Sequence, residues 1–417
     1  MDTIFAEATP PGRGGVSVIR LSGPKARAAL ESLAGPITTP RMASLRALRD
    51  GEDLIDRALV IWFEEGRSFT GEETAELHLH GAPVIANRLS QALLARGLRR
   101  AEAGEFTKRA FLNGRMDLAE AEGLADLLSA ETEAQRKLAM RATEGELGRK
   151  ADELRAKLIR AGALIEASID FADEEVPEEV PDEALDLIGA VRDDIRQLLA
   201  SYPATERLRQ GYEVAIVGPP NAGKSTLLNR IGQREIALVS EIAGTTRDIL
   251  ELHTDLRGLP VTFLDTAGLR ESSDPVEAMG VARALQRAEQ ADLRIHLSVD
   301  GAYAETEGDI TVRSKADLQQ GDGIAVSGLT GEGVAELLNL VYDRLRVKAA
   351  DSGLVGHRRQ AEALQRALAA LDIDSSMAPE FLAEALRQAA QALAMMVGRV
   401  GAEDYLDEIF SSFCIGK

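Results

Sequence analysis

The sequence has little cysteine and no long apolar run, and each shortage excludes a class of protein. Cys414 is the one cysteine among 417 residues, which excludes a disulfide framework and predicts a reducing, cytoplasmic setting. No run of 18 apolar residues occurs, so we expect no membrane-spanning helix. The first residues are acidic and lack the apolar segment of a signal peptide, which also favours the cytoplasm.

Positive charge is also scarce. The chain has 48 Lys and Arg against 68 Asp and Glu, a formal net charge of −20 at pH 7. A protein whose main partner is nucleic acid usually presents a basic face. We therefore expect any RNA contact to be local or to be made with the help of a partner.

The best-defined motif is the segment 213–226, EVAIVGPPNAGKST. An alternating apolar run predicts a strand, Gly218 and Gly223 bound a turn, and an apolar-periodic run predicts a helix. A G-x-x-x-x-G-K-S motif between a strand and a helix predicts a phosphate-binding loop, and this context disfavours a chance match. Lys224 would contact the β- and γ-phosphates, and Ser225 would bind Mg²⁺.

Two downstream segments fit the same nucleotide domain. Asp265 ends a predicted strand and opens the sequence Asp265-Thr266-Ala267-Gly268, which is typical of a metal-side aspartate and a glycine facing a γ-phosphate. Between the two motifs lies Gly244-Thr245-Thr246-Arg247-Asp248, a candidate switch segment. This order of motifs resembles that of the translation-factor-like GTPases.

Base recognition is predicted at Ser314-Lys315-Ala316-Asp317, where GTPases carry Asn-Lys-x-Asp. Asp317 can accept hydrogen bonds from guanine N1–H and from the exocyclic amine, and adenine offers no matching donors. Ser314 departs from the pattern, because a hydroxyl cannot replace the paired donor and acceptor of a carboxamide. Ser327 begins a candidate base-supporting loop.

Leu269 follows Gly268, at a position where Ras-like GTPases carry a water-orienting glutamine, so hydrolysis needs another device. The sequence leaves two such devices open. Asn221 resembles the asparagine that marks K⁺-activated GTPases, in which the cation stabilises negative charge near the transferred phosphate. Glu277 could orient the attacking water, although a glutamate in an acidic loop is commonly just solvated.

Composition and periodicity predict an α/β and α protein with several domains. Residues 1–114 read as an α/β domain, 115–210 and 348–417 as two parts of one discontinuous helical domain with helices to about Tyr202, and 211–347 as an inserted Ras-like P-loop GTPase domain. Within the first domain, Arg20 and Glu76 interrupt apolar strands, and solvent exposure is the default expectation. Cys414, near the C-terminus, is either chemically accessible or a small apolar anchor.

The chain as a whole resembles the MnmE (TrmE) family of tRNA uridine 5-carboxymethylaminomethyl modification GTPases. The resemblance spans residues 2–417 and rests on the order of five segments: DTIFAEATPPGRGGVSVIRLSG, SFTGEETAELHLHGAPV, GEFTKRAFLNGRMDLAEAEGLADL, the GTTRD-type GTPase insert and FCIGK. It implies that residues 1–114 form a tetrahydrofolate-binding and dimerisation domain. It also implies that the homodimer works with the flavoprotein MnmG (GidA), in a heterotetramer or larger complex that binds tRNA. It implies that an aminomethyl or carboxymethylaminomethyl group is built on C5 of the wobble uridine, position 34, with a one-carbon unit from 5-formyl- or 5,10-methylene-tetrahydrofolate.

The resemblance also implies site residues. Folate would contact Arg20, Glu76, Arg115 and Lys417, with Arg115 standing where the family usually has lysine. K⁺ would be bound by Asn221, Ser240, Ile242 and Thr245, and Mg²⁺ by Ser225 and Thr246. The catalytic residues would be Glu277, Lys224 and Cys414. The GTP site would comprise Asn221, Ala222, Gly223, Lys224, Ser225, Thr226, Ser240, Glu241, Ile242, Ala243, Gly244, Thr245, Thr246, Asp265, Thr266, Ala267, Gly268, Ser314, Lys315, Asp317 and Ser327.

Two alternatives of another class remain open. One is a GTPase switch in ribosome assembly, against which the acidic charge and the folate-domain resemblance argue. The other is a regulatory module whose GTPase cycle gates a partner, which is compatible with the modification role.

Overall fold

The computed structural model describes residues 2–170, 181–234, 251–265, 286–299, 308–318, 323–373 and 377–400, and, towards the C-terminus, 406, 409–411, 413 and 416. The chain divides into two compact units, Met1–Ala125 with Ala394–Lys417, and Asp126–Leu393. The domain boundaries given above stay a prediction. Among the described helices, none combines the length and the apolar content needed to cross a bilayer.

The first unit is built on a six-stranded sheet in the order β3-β4-β5-β2-β1-β6. Its elements are β1 (Ile4–Glu7), β2 (Val16–Ser22), α1 (Ala26–Ala34), β3 (Ser44–Asp50), β4 (Asp53–Phe63), β5 (Thr74–His80), α2 (Pro83–Ala95), β6 (Arg99–Arg100) and α3 (Glu105–Leu112), and α4 (Leu118–Ser129) follows. All pairings are antiparallel except that of β1 with β6.

The two faces of this sheet differ sharply in burial. Alternate residues such as Ile19, Val60 and Leu77 pack with α1 and α2 into one apolar core. The residues between them point to the opposite face, as the two-residue period of a strand requires. Arg20 and Glu76 lie on that second face, so strand alternation decides which side of the sheet carries the candidate folate residues.

The second unit contains helices and a mostly parallel sheet in the order β12-β11-β10-β7-β9-β8, in which only β8 runs antiparallel among the described strands. The helices before the sheet are α5 (Glu133–Thr143), α6 (Glu146–Asp170) and α7 (Asp182–Gln210). The sheet region comprises β7 (Tyr212–Val217), α8 (Lys224–Arg234), β8 (Glu251–Leu256), β9 (Leu259–Asp265), β10 (Leu293–Ser298), β11 (Ile310–Ser314), β12 (Ala325–Val326) and α9 (Val334–Ala350), and α10 (Arg358–Ala370) and α11 (Pro379–Met396) follow.

The predicted end of the helices near Tyr202 is wrong. Helix α7 continues through Pro203 to Gln210. A proline inside a helix removes one backbone hydrogen bond and normally bends or ends it. Here tertiary contacts offset that cost, because Leu208 joins the apolar core of the sheet and the hydroxyl of Thr205 accepts a hydrogen bond of 2.7 Å from Gly353 N. The helix therefore reaches the first strand of the nucleotide domain, β7.

Candidate functional site

The phosphate loop connects the end of β7 with the start of α8. Gly218 has φ 156°, and a Cβ there would collide with the carbonyl oxygen of Leu297. Asn221 has φ 62° and Gly223 φ 98°, both in the left-handed region that glycine and asparagine enter most readily. Residues 218–223 therefore curl before α8 begins at Lys224, as a backbone cradle for phosphate requires.

Lys224 is the charged centre of this loop. Its side chain is buried, 5% exposed, and Nζ donates hydrogen bonds of 2.7 Å to Gly218 O and 3.0 Å to Pro219 O. Burial lowers the pKa of the Lys224 ammonium, and the nearby carboxylate of Asp265 opposes that shift. The ammonium is thus held inside the loop by carbonyls that an arriving phosphate can displace.

Asp265 reaches the same place from another strand. It is buried at the end of β9, and its backbone pairs in parallel register with Ile216, just before the loop. Because carboxyl ends of parallel strands share one edge of a sheet, the aspartate and the loop come together at that edge. Ser225 and Thr226 follow in the first turn of α8. The structure therefore juxtaposes the lysine, the candidate Mg²⁺ serine and the metal-side aspartate.

The base-side residues lie at the same edge. Ser314 ends β11, and Lys315 follows with φ 57°. Ser327 follows β12, where its hydroxyl accepts a hydrogen bond of 3.1 Å from Thr330 N. Asp317 is exposed, as a base-contacting carboxylate must be before the base arrives.

Some predicted residues lie outside the described part of the chain, so their placement stays a prediction. They are Ser240, Glu241, Ile242, Ala243, Gly244, Thr245, Thr246, Thr266, Ala267, Gly268, Glu277, Cys414 and Lys417.

A second polar cluster lies on the second face of the first sheet, beside the part of that face where Ile4 and Ala6 are buried against Phe106 of α3. Arg20 and Glu76 sit directly opposite each other on β2 and β5, with Nη2 and Oε1 3.0 Å apart. Their side chains are 24% and 17% exposed, so the default expectation of solvent exposure is wrong and the two are paired instead. His78 Nε2 lies 3.2 Å from the other carboxylate oxygen. The Arg20 guanidinium also lies 5.9 Å from the ring centroids of both Phe69 and Phe106, which sequence analysis did not single out.

Arg115 belongs to the same region through the loop that carries Phe69. Its side chain is exposed and packs over Gly71, where an added Cβ would lie 3.2 Å from Arg115 Cγ. Gly71 has φ 79°, which favours glycine for a second reason. The structure thus groups a paired arginine and glutamate with two aromatic rings, and Arg115 packs against the loop that carries one of these rings.

Known proteins match the chain over its whole length. A family model described as the MnmE helical domain matches residues 118–414, and one described as the GTP-binding protein TrmE N-terminus matches residues 3–115. The chain is 90% identical over 419 residues to the tRNA modification GTPase MnmE of Paracoccus denitrificans, with 100% of both chains covered. It is 50% identical to the protein of the same name from Roseobacter denitrificans, again with 100% of both covered.

Among solved structures, the chain is similar to the G domain of the FeoB iron transporter of T. maritima. The identity is 21%, the TM-score is 0.25, and the match covers 33% of this chain and 98% of that one. A score this low supports no conclusion about the chain. The two family models and the full-length identities do, and they confirm the predicted fold class of an N-terminal α/β domain, a helical domain and an inserted P-loop GTPase. The chain belongs to the MnmE family of tRNA modification GTPases.

Proposed function

We propose that this protein is a K⁺-activated GTPase that acts with a flavin-dependent partner on the wobble uridine of certain tRNAs. In this role it adds an aminomethyl or carboxymethylaminomethyl group to C5, with the one-carbon unit supplied by a tetrahydrofolate. The observation that carries the proposal is the 90% identity, over the entire chain, to a protein named tRNA modification GTPase MnmE. The buried lysine of the phosphate loop supports the GTPase half independently.

The nucleotide site divides its work among residues of different chemistry. We assign phosphate binding to Lys224 and the backbone of 221–226, and Mg²⁺ to the hydroxyls of Ser225 and Thr246, with Asp265 close by. Hydroxyl and carboxylate oxygens are the hard donors that Mg²⁺ prefers. Glu277 is assigned to orienting water, because Leu269 cannot do so. Cys414 is proposed to act in the modification chemistry.

The K⁺ assignment has support from one described residue. The carboxamide of Asn221 stands at the exposed tip of the phosphate loop and has no hydrogen-bond partner among the described residues. Its oxygen is a hard, neutral donor that fits a monovalent cation. The remaining proposed donors are Ser240, Ile242 and Thr245. A cation there would supply positive charge near the transferred phosphate, as an arginine finger does in other GTPases.

We assign the tetrahydrofolate to the cluster around Arg20 and Glu76, with Arg115 and Lys417. A reduced pterin offers a planar edge of N–H donors and a carbonyl acceptor. The Glu76 carboxylate can accept from that edge, and the exposed Phe69 ring provides flat apolar surface beside it, whereas Phe106 is fully buried near Arg20. The exposed guanidinium of Arg115 suits the glutamate carboxylates of the folate tail.

Arg20→Met should weaken binding of 5-formyltetrahydrofolate by about tenfold or more. The substitution removes the charged hydrogen-bond partner that holds the Glu76 carboxylate in place for the pterin. Isothermal titration with the full-length protein measures this change. The matched control is Arg46→Met on β3, where the residue is exposed and its one side-chain hydrogen bond to a described residue goes to Pro36 O at 3.4 Å. GTP hydrolysis without folate should be equal in both variants. Unchanged folate affinity in Arg20→Met would remove this cluster from the folate site.

We propose that the homodimer forms through the exposed part of the second face of the first sheet, on β2, β3 and β4. On that face Leu45 lies opposite Leu59, and the two side chains are 68% and 46% exposed. Val16, at the same face of β2, is 55% exposed. Neighbouring apolar side chains exposed on the surface of a sheet favour association with another protein surface. The Arg20 and Glu76 pair lies on the same face, which would place the folate residues beside the interface.

The double variant Leu45→Lys, Leu59→Lys should sediment as a monomer at micromolar concentration, because burying two charges in the interface opposes association. The wild-type chain of 44.7 kDa should sediment at twice that mass. The control Leu318→Lys changes a leucine that is 73% exposed in the second unit and should remain dimeric. A double variant that stays dimeric would contradict this interface.

We propose that tRNA is bound through the complex with the flavoprotein partner. The formal net charge of −20 supports this proposal, because contacts with RNA phosphates need Lys and Arg, and this chain has fewer of these than of Asp and Glu. A flavoprotein partner with a basic surface would supply the positive charge for these phosphate contacts.

Mass spectrometry of tRNA nucleosides from a strain lacking the gene tests the function. The carboxymethylaminomethyl- and aminomethyl-uridine derivatives should vanish and return on complementation with the wild-type gene. Complementation with the Lys224→Ala form should fail. Unchanged wobble uridines with intact GTPase activity would contradict the proposal and favour a role in ribosome assembly.

A further inference from the structure

The phosphate-loop helix is tied to the base-side loop by one arginine. Arg230 lies on α8, and its Nε donates a hydrogen bond of 3.0 Å to Gly328 O. Its Nη2 donates to Leu329 O. The guanidinium also packs against Gly331, where an added Cβ would lie 3.6 Å from Arg230 Cδ. A planar fork with several donors is suited to holding two successive carbonyls in place.

The loop that Arg230 holds is pressed onto the same helix. A Cβ added at Gly328 would lie 2.8 Å from Leu227 N, so only glycine permits this approach. On its other side the loop is closed by Gly331 N, which donates to Ser327 O at 2.8 Å, and by Ser327 N, which donates to Glu332 O at 2.9 Å. The backbone of 327–331 is therefore fixed from both sides.

This arrangement sets the direction of the loop's N–H groups. In a planar trans peptide the C=O and the following N–H point in opposite directions. Because Gly328 O faces Arg230, the N–H of Leu329 points away from α8. Neither Gly328 N nor Leu329 N donates to another residue in the described part of the chain. These donors are available to a ligand at the sheet edge where Asp317 also stands.

Because Ser314 replaces the usual asparagine, recognition of the base depends more on this loop than in a GTPase that has the asparagine. Its side chain is 3% exposed, and its hydroxyl has no hydrogen-bond partner among the described residues. A carboxamide there could span from β11 to the neighbouring loop, and a hydroxyl is too short to do so. The side-chain link that the described residues provide to the Gly328–Leu329 carbonyls is Arg230.

We propose that Arg230 is a positioning residue for guanine selectivity. It holds the Gly328–Leu329 peptide so that backbone N–H groups face position 6 of the base. Guanine carries a carbonyl acceptor at that position, and adenine carries an amino donor that an N–H repels. The inference rests on the GTP site proposed above and adds the residue that sets its preference at position 6.

The test compares three diphosphates by competition against a fluorescent GDP analogue, with Mg²⁺ and the full-length protein. IDP and ADP differ at position 6 and in the N1–H that Asp317 would also bind, whereas GDP and IDP differ only in the 2-amino group that Asp317 would bind. Because Arg230→Met leaves Asp317 in place, a change in the IDP-to-ADP ratio of this variant reports on position 6. Arg230→Met should lower the IDP-to-ADP affinity ratio by about tenfold or more, the size expected for a misplaced hydrogen-bond donor. The GDP-to-IDP ratio should change by less than about twofold, because Asp317 is untouched.

Arg234→Met is the matched control, since it removes the same charge one turn later on α8. Arg234 is exposed and has no hydrogen bond or ion pair with a described residue. Both ratios should stay at the wild-type value in this control. If Arg230→Met does not fold, Arg230→Lys serves instead, because one ammonium cannot hold both carbonyls as a fork does and the IDP-to-ADP ratio should still fall.

Three further results separate the inference from the function on which it rests. An unchanged IDP-to-ADP ratio in a folded Arg230 variant overturns the inference and leaves the GTP site standing. An equal loss for all three ligands also overturns it, because the arginine would then support the site as a whole. A wild-type protein that binds ADP as tightly as GDP would contradict the GTP assignment itself.

Discussion

Replacing Lys224 by alanine is expected to bring GTP hydrolysis below about 1% of the wild-type rate, with GTP affinity also reduced. The reason is that Nζ is the positive charge enclosed by the phosphate loop, where it now rests on Gly218 O and Pro219 O. In a site that excludes water, removing one such stabiliser typically costs about 10²-fold or more in rate. Phosphate release under saturating GTP and direct GTP titration give the two effects separately.

The control for this variant is Lys137→Ala on α5, a lysine that is 69% exposed and 3.7 Å from Glu133. It should hydrolyse GTP at the wild-type rate. Thermal unfolding of the two variants without nucleotide shows whether Lys224→Ala is folded, because this substitution removes the positive charge beside the buried Asp265 carboxylate. Wild-type turnover in Lys224→Ala would contradict the phosphate-loop assignment.

Exchanging K⁺ for Na⁺ at constant ionic strength is expected to slow hydrolysis by about 10²-fold, the size typical for loss of one transition-state charge stabiliser. The smaller ion does not match a set of donors spaced for K⁺. GTP affinity should change little, because the effect lies in the hydrolytic step. Single-turnover rates in the two salts, with Mg²⁺ present, measure the difference.

Asn221→Gly tests whether the carboxamide carries this response. Asn221 has φ 62°, so glycine removes the side chain without straining the backbone, whereas alanine would add strain. The variant should hydrolyse GTP slowly in both salts and should no longer distinguish them. Equal wild-type rates in K⁺ and Na⁺, or a full K⁺ response in Asn221→Gly, would exclude Asn221 from the K⁺ site.

The phosphate loop was the most predictable part of the molecule, because its geometry is local. Residues 218–225 are contiguous, and the turn follows from Gly218 and Gly223 between a strand and a helix. The strands around it were predictable for a similar reason, since a fully buried strand such as β9 is apolar almost throughout. Strand β3 was not identified, because it pairs at the sheet edge and most of its residues are exposed.

Sequence alone thus determined the chemical inventory: a lysine and a serine after a glycine turn, an aspartate after a buried strand, and an order of segments that indicated the family. Only tertiary structure decided which distant groups meet. It paired Arg20 with Glu76 across 56 positions and carried α7 through Pro203. It also brought Arg230 of α8 into contact with a loop 98 residues further along the chain. Strand register and helix packing fix such contacts, and neither follows from the composition of the segments that make them.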